Sequence, residues 1–427
     1  MQSFARRIIN WQRQHGRHGL PWQGADAYRV WLSEIMLQQT QVATVIPYYQ
    51  RFVTSFSDIA ALAAASEDEV LAHWSGLGYY SRARNLHHAA QLIMQRHGGK
   101  FPRNFDDIIA LPGIGRSTAA AICALAFHER RAILDGNVKR VLARYCAIEG
   151  YAGNKKIEVQ LWQQAEALLP YSSPPPREGR RKDSVGDAIV TYTQGLMDLG
   201  ATVCMRTRPN CGACPVQRSC AAYQSGRVAQ LPTPRPRKVL PEKHSTFLLL
   251  LNGSDILLEK RPSSGIWGGL WCPPQFEDVQ AALDGCVRMG VAMKKIIRHS
   301  GGVSSTSAVS IPHPACRAVG SLKANDLLPG KPSVKLTHPP FILTGSGLSA
   351  FGEGQNPAKL KNKCGTLPSF MHTFTHFKLH IIPLLVQIGR KPKQQEPGRV
   401  WLNVEDALCA AISTPMRKLL KSVKDLV

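Results

Sequence analysis

From about Phe4 to Tyr223, apolar residues recur at three- and four-residue spacing, with Gly or Pro between segments, as in Leu77-Gly-Tyr-Tyr and Leu111-Pro-Gly-Ile-Gly. That period is helical and predicts an all-α first domain over residues 1–225. Residues 172–186 are polar and proline-rich, cannot hold a helix, and read as a surface insertion in that domain. Leu231-Pro-Thr-Pro-Arg-Pro-Arg-Lys-Val-Leu-Pro has the spacing of an extended linker, placed over residues 226–242. The pattern then changes. Thr246-Phe-Leu-Leu-Leu-Leu, a turn at Asn252-Gly253 and Ile256-Leu-Leu-Glu-Lys-Arg predict a hairpin that opens an α+β second domain over 243–427. Within it, residues 287–364 carry only Asp326 and Glu353 as acids and no sustained period, so a flexible insertion is expected there.

Charge narrows the partners. The chain of 427 residues has 53 Lys and Arg against 29 Asp and Glu, a formal charge of +24 that attracts a polyanion, and nucleic acid is the obvious one. There is no uncharged apolar run for a spanning helix and no signal peptide at Met1 to Gln14. A soluble, cytoplasmic monomer without a membrane partner is the expectation. The eleven cysteines do not form the framework of a small secreted domain. Four of them, Cys204, Cys211, Cys214 and Cys220, read C-x6-C-x2-C-x5-C within one polar loop. Thiols so placed are metal ligands, an iron–sulfur cluster fitting better than zinc because zinc sites usually separate two close pairs by a longer finger.

Three further stretches carry chemistry. Tyr28-Arg-Val-Trp-Leu-Ser-Glu-Ile-Met-Leu-Gln-Gln-Thr-Gln is apolar on nearly every side of a helix whose single acid is Glu34. Among Trp31, Leu32, Ile35 and Leu37 a carboxyl loses hydration and keeps its proton, as suits a general acid; pairing with Arg29 or Arg82 at the surface is the alternative. In Leu111-Pro-Gly-Ile-Gly-Arg-Ser-Thr-Ala, Gly113 and Gly115 permit a tight turn that exposes N–H groups at a helix start, able to grip a phosphate. In Ile133-Leu-Asp-Gly-Asn-Val-Lys-Arg, Asp135 is placed as an N-cap that the helix dipole would keep ionised. A neutral and a charged carboxyl together suit cleavage of a glycosidic bond.

The cysteine spacing, the preceding Gln194-Gly-Leu-Met-Asp-Leu-Gly-Ala and the run Ser33-Glu-Ile-Met-Leu-Gln-Gln-Thr-Gln resemble the endonuclease III and MutY family of DNA repair glycosylases. The resemblance implies a helix-hairpin-helix core with a 4Fe–4S cluster on the four cysteines, acting on double-stranded DNA with adenine opposite 8-oxoguanine or guanine. It assigns Glu34 to protonation of the departing adenine, Asp135 to the sugar charge and Asn137 to positioning, with Lys139 near the abasic product. Gln39 and Tyr79 would probe the opened stack, and Arg82 and Arg84 would reach phosphates. Relatives that also cut the strand carry a nucleophilic lysine where this chain has Ser117, so base removal alone is implied; a bifunctional lyase and a non-catalytic iron–sulfur sensor are the alternatives. Arg261-Pro-Ser-Ser-Gly-Ile-Trp-Gly-Gly-Leu-Trp resembles the start of a Nudix-like fold, without the acidic helix that holds magnesium in the hydrolases. Met371-His-Thr-Phe-Thr-His-Phe resembles the family's lesion-reading loop, with Phe374, Thr375 and His376 at its centre and Thr in place of the usual Ser.

Overall fold

The computed structural model describes residues 3–170, 185–236, 239–291, 364–392 and 396–425. Its first part is helical: α1 (Phe4–His15), α2 (Ala27–Leu37), α3 (Val42–Ser55), α4 (Ile59–Ala64), α5 (Glu67–Trp74) and α6 (Ser81–His97). There follow α7 (Phe105–Ile109), α8 (Arg116–Phe127), α9 (Gly136–Tyr145), α10 (Lys155–Ala167), α11 (Val185–Asp198) and α12 (Ala221–Gln224). Polar residues start many of these helices, because a side-chain oxygen satisfies an N–H that the first turn leaves unpaired. Ser3, Asp26, Asp58, Asn104, Asp135 and Asn154 all accept such a bond. Continuing α11, a π-helical turn at Leu199–Val203 delivers the chain to the cysteine loop.

The expected linker is not free along its length. Gly150 N–H donates to Thr233 Oγ1 at 2.9 Å, Arg144 Nε donates to Leu231 O at 2.8 Å, and Leu231 is buried, so its first residues lie pinned to the helical part. A sheet follows, built from β1 (Glu242–Asn252), β2 (Asp255–Lys260), β3 (Trp271–Cys272) and β4 (Gln275–Phe276), then α13 (Val279–Arg288). Later come β5 (Cys364–Thr366), β6 (Phe370–Thr373), β7 (Lys378–Gln387), β8 (Arg399–Asn403), α14 (Val404–Cys409) and α15 (Thr414–Lys424). The hairpin forms as its pattern predicts, with Leu251 opposite Ile256 and Asn252 opposite Asp255. Strand β1 also pairs in parallel with β7 from Glu242 to Leu251, a long-range partner that no local pattern announces.

Thr246 to Leu251 are all buried because the sheet is covered on both faces. Phe247, Leu249 and Leu251 join a core shared with α14, α15 and helices α2 to α8, while Leu248 and Leu250 pack with Ala282 and Cys286 of α13. The helical and sheet-bearing parts are therefore joined by packed side chains. Of the two expected insertions, 172–184 and 292–363 lie outside the described residues. Their described margins belong to regular structure: Val185 begins α11, Val287 and Arg288 end α13, and Cys364 begins β5. Among the described residues no helix is long and apolar enough to cross a membrane.

Candidate active site

Glu34 lies on α2 between the fully buried Trp31, Leu32 and Met36 and the nearly buried Ile35. Burial, and secondarily the charge of Asp135, push its carboxyl up to about 8. A narrow solvent-facing side remains, yet enough protein surrounds the group for burial to dominate. The surface ion pair considered for Glu34 is not made. Arg29 pairs instead with Asp26 at 2.8 Å, and Arg82 is committed to backbone carbonyls.

Asp135 caps α9 as expected, its Oδ1 accepting Val138 N–H at 2.7 Å. The helix dipole expected to keep it ionised is opposed by burial, which raises the carboxyl against the Val138 and Asn137 amides and then Arg140 and Lys139. Desolvation outweighs the dipole because the cap faces inward, toward Glu34, rather than into water. Of the two, Asp135 has the amide donors and cations and Glu34 has neither, so Asp135 gives up its proton first and Glu34 keeps one. Asn137 Oδ1 accepts from Arg140 at 2.8 Å, and Gly200 sits so close that an added Cβ would meet Asn137 Cβ at 2.6 Å. Lys139 is ion-paired with Glu158 at 2.5 Å.

The turn before α8 brings the second motif to the same place. Gly113 takes φ +79°, and Gly115 precedes α8 as a cap without a side chain, leaving the first amides of the helix available. Gln38 Nε2, at the end of α2, reaches Gly113 O at 3.3 Å and Thr118 Oγ1 at 3.4 Å. Ser117 Oγ accepts Leu134 N–H at 2.9 Å and so fixes the segment that presents Asp135.

Arg82 departs most from expectation. Instead of reaching a phosphate it is buried, and its guanidinium donates to Ile35 O, Met36 O, Gln38 O, Thr40 Oγ1 and Gly78 O at 2.5 to 3.2 Å. Four of these are backbone carbonyls at the end of α2 and in the loop before α6 and one is the Thr40 hydroxyl, and the two terminal nitrogens of the planar guanidinium serve them together. It thereby ties down two exposed residues with left-handed backbones, Gln39 at φ +56° and Tyr79 at φ +50°. Arg84 is half-buried and donates to Gly268 O at 2.5 Å. Tyr80 is buried beside the exposed Tyr79.

Cys204, Cys211, Cys214 and Cys220 line one cavity with Val141, Leu199, Val203 and Val216. Among the described residues no three His, Cys, Asp or Glu side chains converge where a single ion would sit. As a thiol, Cys214 is pushed up to about 11 by burial, so a bound cation is needed to make it a thiolate. Arg144 Nη1 lies 3.4 Å from Cys204 Sγ and 2.7 Å from Met205 O, and Arg140 Nε donates to Cys204 O at 2.7 Å. Through these two arginines α9 is moored to the cysteine loop. Arg206, Arg208 and Arg218 stay exposed on that loop.

In the sheet-bearing part, Thr375 and His376 are exposed at the β6–β7 tip. Phe374 is anchored, stacking on Phe377 at 4.6 Å and lying 5.6 Å from the Trp267 ring.

The HhH-GPD superfamily base excision DNA repair protein family matches residues 32–167. The adenine DNA glycosylase of Buchnera aphidicola from Acyrthosiphon pisum is 32% identical over 99% of this chain and 97% of its own length. That of Homo sapiens is 33% identical over 98% of this chain and 73% of its own. The chain belongs to the adenine DNA glycosylase family. It is a DNA glycosylase of the MutY type, a hydrolase of base excision repair with a helix-hairpin-helix core and a sheet-bearing C-terminal region. A solved thermostable thymine-DNA glycosylase is 28% identical, with a TM-score of 0.45 over 52% of this chain and 95% of its own.

Several residues that hold the glycosylase together escaped the sequence reading. Arg140 and Arg144 stand one turn apart on the helix after Asp135, a spacing that could have marked a shared target. Asp198 is fully buried and accepts from Arg17 N–H at 2.8 Å and Arg17 Nε at 2.7 Å, locking the segment after α1 onto α11. Nothing local to Arg17 announces that partner 181 residues away.

Proposed function

We propose that the protein hydrolyses the N-glycosidic bond of adenine mispaired with 8-oxoguanine or guanine and leaves the DNA strand uncut. What supports this reading is Glu34 on α2, its carboxyl pushed up to about 8 by burial and then by the charge of Asp135, which the Val138 and Asn137 amides favour as a carboxylate. The exposed amides at the start of α8 and Arg206, Arg208 and Arg218 meet phosphates, and Gln39 and Tyr79 enter the stack as the adenine leaves it. Glu34 gives its proton to adenine as the bond to the sugar breaks, the electron pair leaving with the base. The Asp135 carboxylate offsets the positive charge on the sugar. Water then adds its hydroxyl to the sugar carbon and returns a proton to Glu34. Asn137, held by Arg140, positions the sugar, and Lys139 stays with Glu158. Ser117, engaged with the Leu134 amide, cannot form a Schiff base, which supports base removal without strand cleavage.

The four cysteines fit a 4Fe–4S cluster, because they surround a cavity rather than converge on one ion. Bound there, the cluster supplies a rigid cross-link beneath α9. The protein is read as two domains, 1–225 and 243–427, the second Nudix-like, with Phe374, Thr375 and His376 reading the base opposite adenine. Duplexes with adenine opposite 8-oxoguanine, guanine and thymine test this: excision should rank in that order, with breaks appearing only after alkali. Spontaneous cleavage, or equal excision opposite thymine, would refute it.

A further inference from the structure

The loop that carries Tyr79 is gripped by the C-terminal region. Backbone angles there are unusual, with Gly76 at φ +104°, Gly78 at φ +79° and Tyr79 at φ +50°. An exposed tyrosine in the left-handed region is strained and persists only where its surroundings leave it no alternative. From inside, Arg82 and Trp74 Nε1 hold Gly78 O at 3.0 and 3.1 Å. From outside, the Ile412 carbonyl accepts both Ser75 Oγ–H at 2.5 Å and Tyr80 O–H at 3.3 Å, and Arg417 Nη2 donates to Ser75 Oγ at 2.8 Å. Tyr80 Oη in turn accepts Gly76 N–H at 3.3 Å. Ser75 and Tyr80 are buried, so these bonds form away from competing water.

Ile412 belongs to a continuous piece that reaches the β6–β7 tip. Trp271 N–H donates to Ala411 O at 2.8 Å and bridges Ile412, Leu270 N–H donates to Trp267 O at 3.0 Å, and the Trp267 ring lies against Phe374. One end of this piece carries the tip assigned above to the base opposite adenine, and the other holds the loop that carries Tyr79.

We propose that Ser75, Tyr80 and Arg417 form an interdomain latch of positioning residues, through which engagement of the opposite base sets the placement of Tyr79. The proposal rests on the lesion-reading role assigned above to Phe374, Thr375 and His376. Its signature is a change in discrimination rather than in folding or in excision generally.

The experiment measures single-turnover adenine excision opposite 8-oxoguanine and opposite guanine for the parent, Tyr80→Phe and Ser75→Ala. Tyr80→Phe, which removes one bond to Ile412, should lower the 8-oxoguanine-to-guanine rate ratio about five-fold, the factor carried by one net hydrogen bond, and Ser75→Ala, which removes the bonds to both Ile412 and Arg417, should lower it further. If either folds poorly by thermal melting, Arg417→Met, which removes only the bond to Ser75, should give a smaller drop in the same ratio. In a double-mutant cycle, Tyr80→Phe added to Phe374→Leu should cause little further loss, because both break one connection. Variants that slow both duplexes equally, or effects that multiply independently in the cycle, would overturn the latch. A parent that does not distinguish the two duplexes would remove the lesion-reading role, and the latch with it; a discriminating parent whose variants keep the ratio removes the latch alone.

Discussion

Glu34→Gln should stabilise the protein at alkaline pH and barely change it in acid. Below the ordinary carboxyl value of 4.5, Glu34 is protonated in folded and unfolded chains alike, so its pKa has no effect on folding there. As pH rises from 4.5 to about 8 the unfolded chain loses this proton while the folded one keeps it, so stability falls across that window and is flat above it. Carried in full, the rise is worth about 5 kcal/mol. The solvent-facing side of Glu34 and local relaxation reduce this to ~2 kcal/mol. For a helical unit of about 200 residues that is ~5 °C in Tm. A glutamine of the same shape never ionises, so it escapes the penalty. Thermal melts followed by circular dichroism at pH 5 and pH 9 should show the variant's advantage widening by ~4 °C. Removing the neighbouring charge with Asp135→Asn should lower the Glu34 pKa and narrow that widening. A gap that stays constant, or shrinks as pH rises, would mean that Glu34 is hydrated and is not held protonated.

Three other perturbations probe the frame around the site. Arg82→Met should cost about 3 kcal/mol by calorimetry, because buried carbonyls lose their donor, and should slow adenine release by freeing the Gln39 and Tyr79 tips; normal stability would return Arg82 to the surface. Ser117→Ala should cost about 1 kcal/mol in denaturant melts and still give a product cut only after alkali, with no borohydride-trapped adduct. Cys211→Ser should lose iron and sulfide by elemental analysis and weaken both duplex binding and excision, since Arg140 and Arg144 moor α9 to that loop. Full activity without metal would contradict that coupling.

What could be read in the sequence was mostly local. Helix period, the Asn252-Gly253 hairpin and the Asp135 cap follow from residues near one another, and each forms as its pattern implies. The apolar shell of Glu34 was legible because one acid stood in an otherwise uninterrupted run. Long-range partners were not. Arg82 was read as a surface cation because its charge is local and its carbonyl acceptors come from α2, and the burial of Asp135 depends on helices folded over it. The β1–β7 pairing and the grip of Ile412 on Tyr80 join segments more than a hundred residues apart, for which periodicity gives no signal.

The pairing of Glu34 and Asp135 as acid and counter-charge is tested most directly by free adenine released, in single-turnover conditions, from a duplex carrying adenine opposite 8-oxoguanine. The parent should release it quantitatively, while Glu34→Gln and Asp135→Asn bind the duplex as the parent does and release adenine at least ~10³-fold more slowly. Release near the parent rate by either variant would take that carboxyl out of the mechanism.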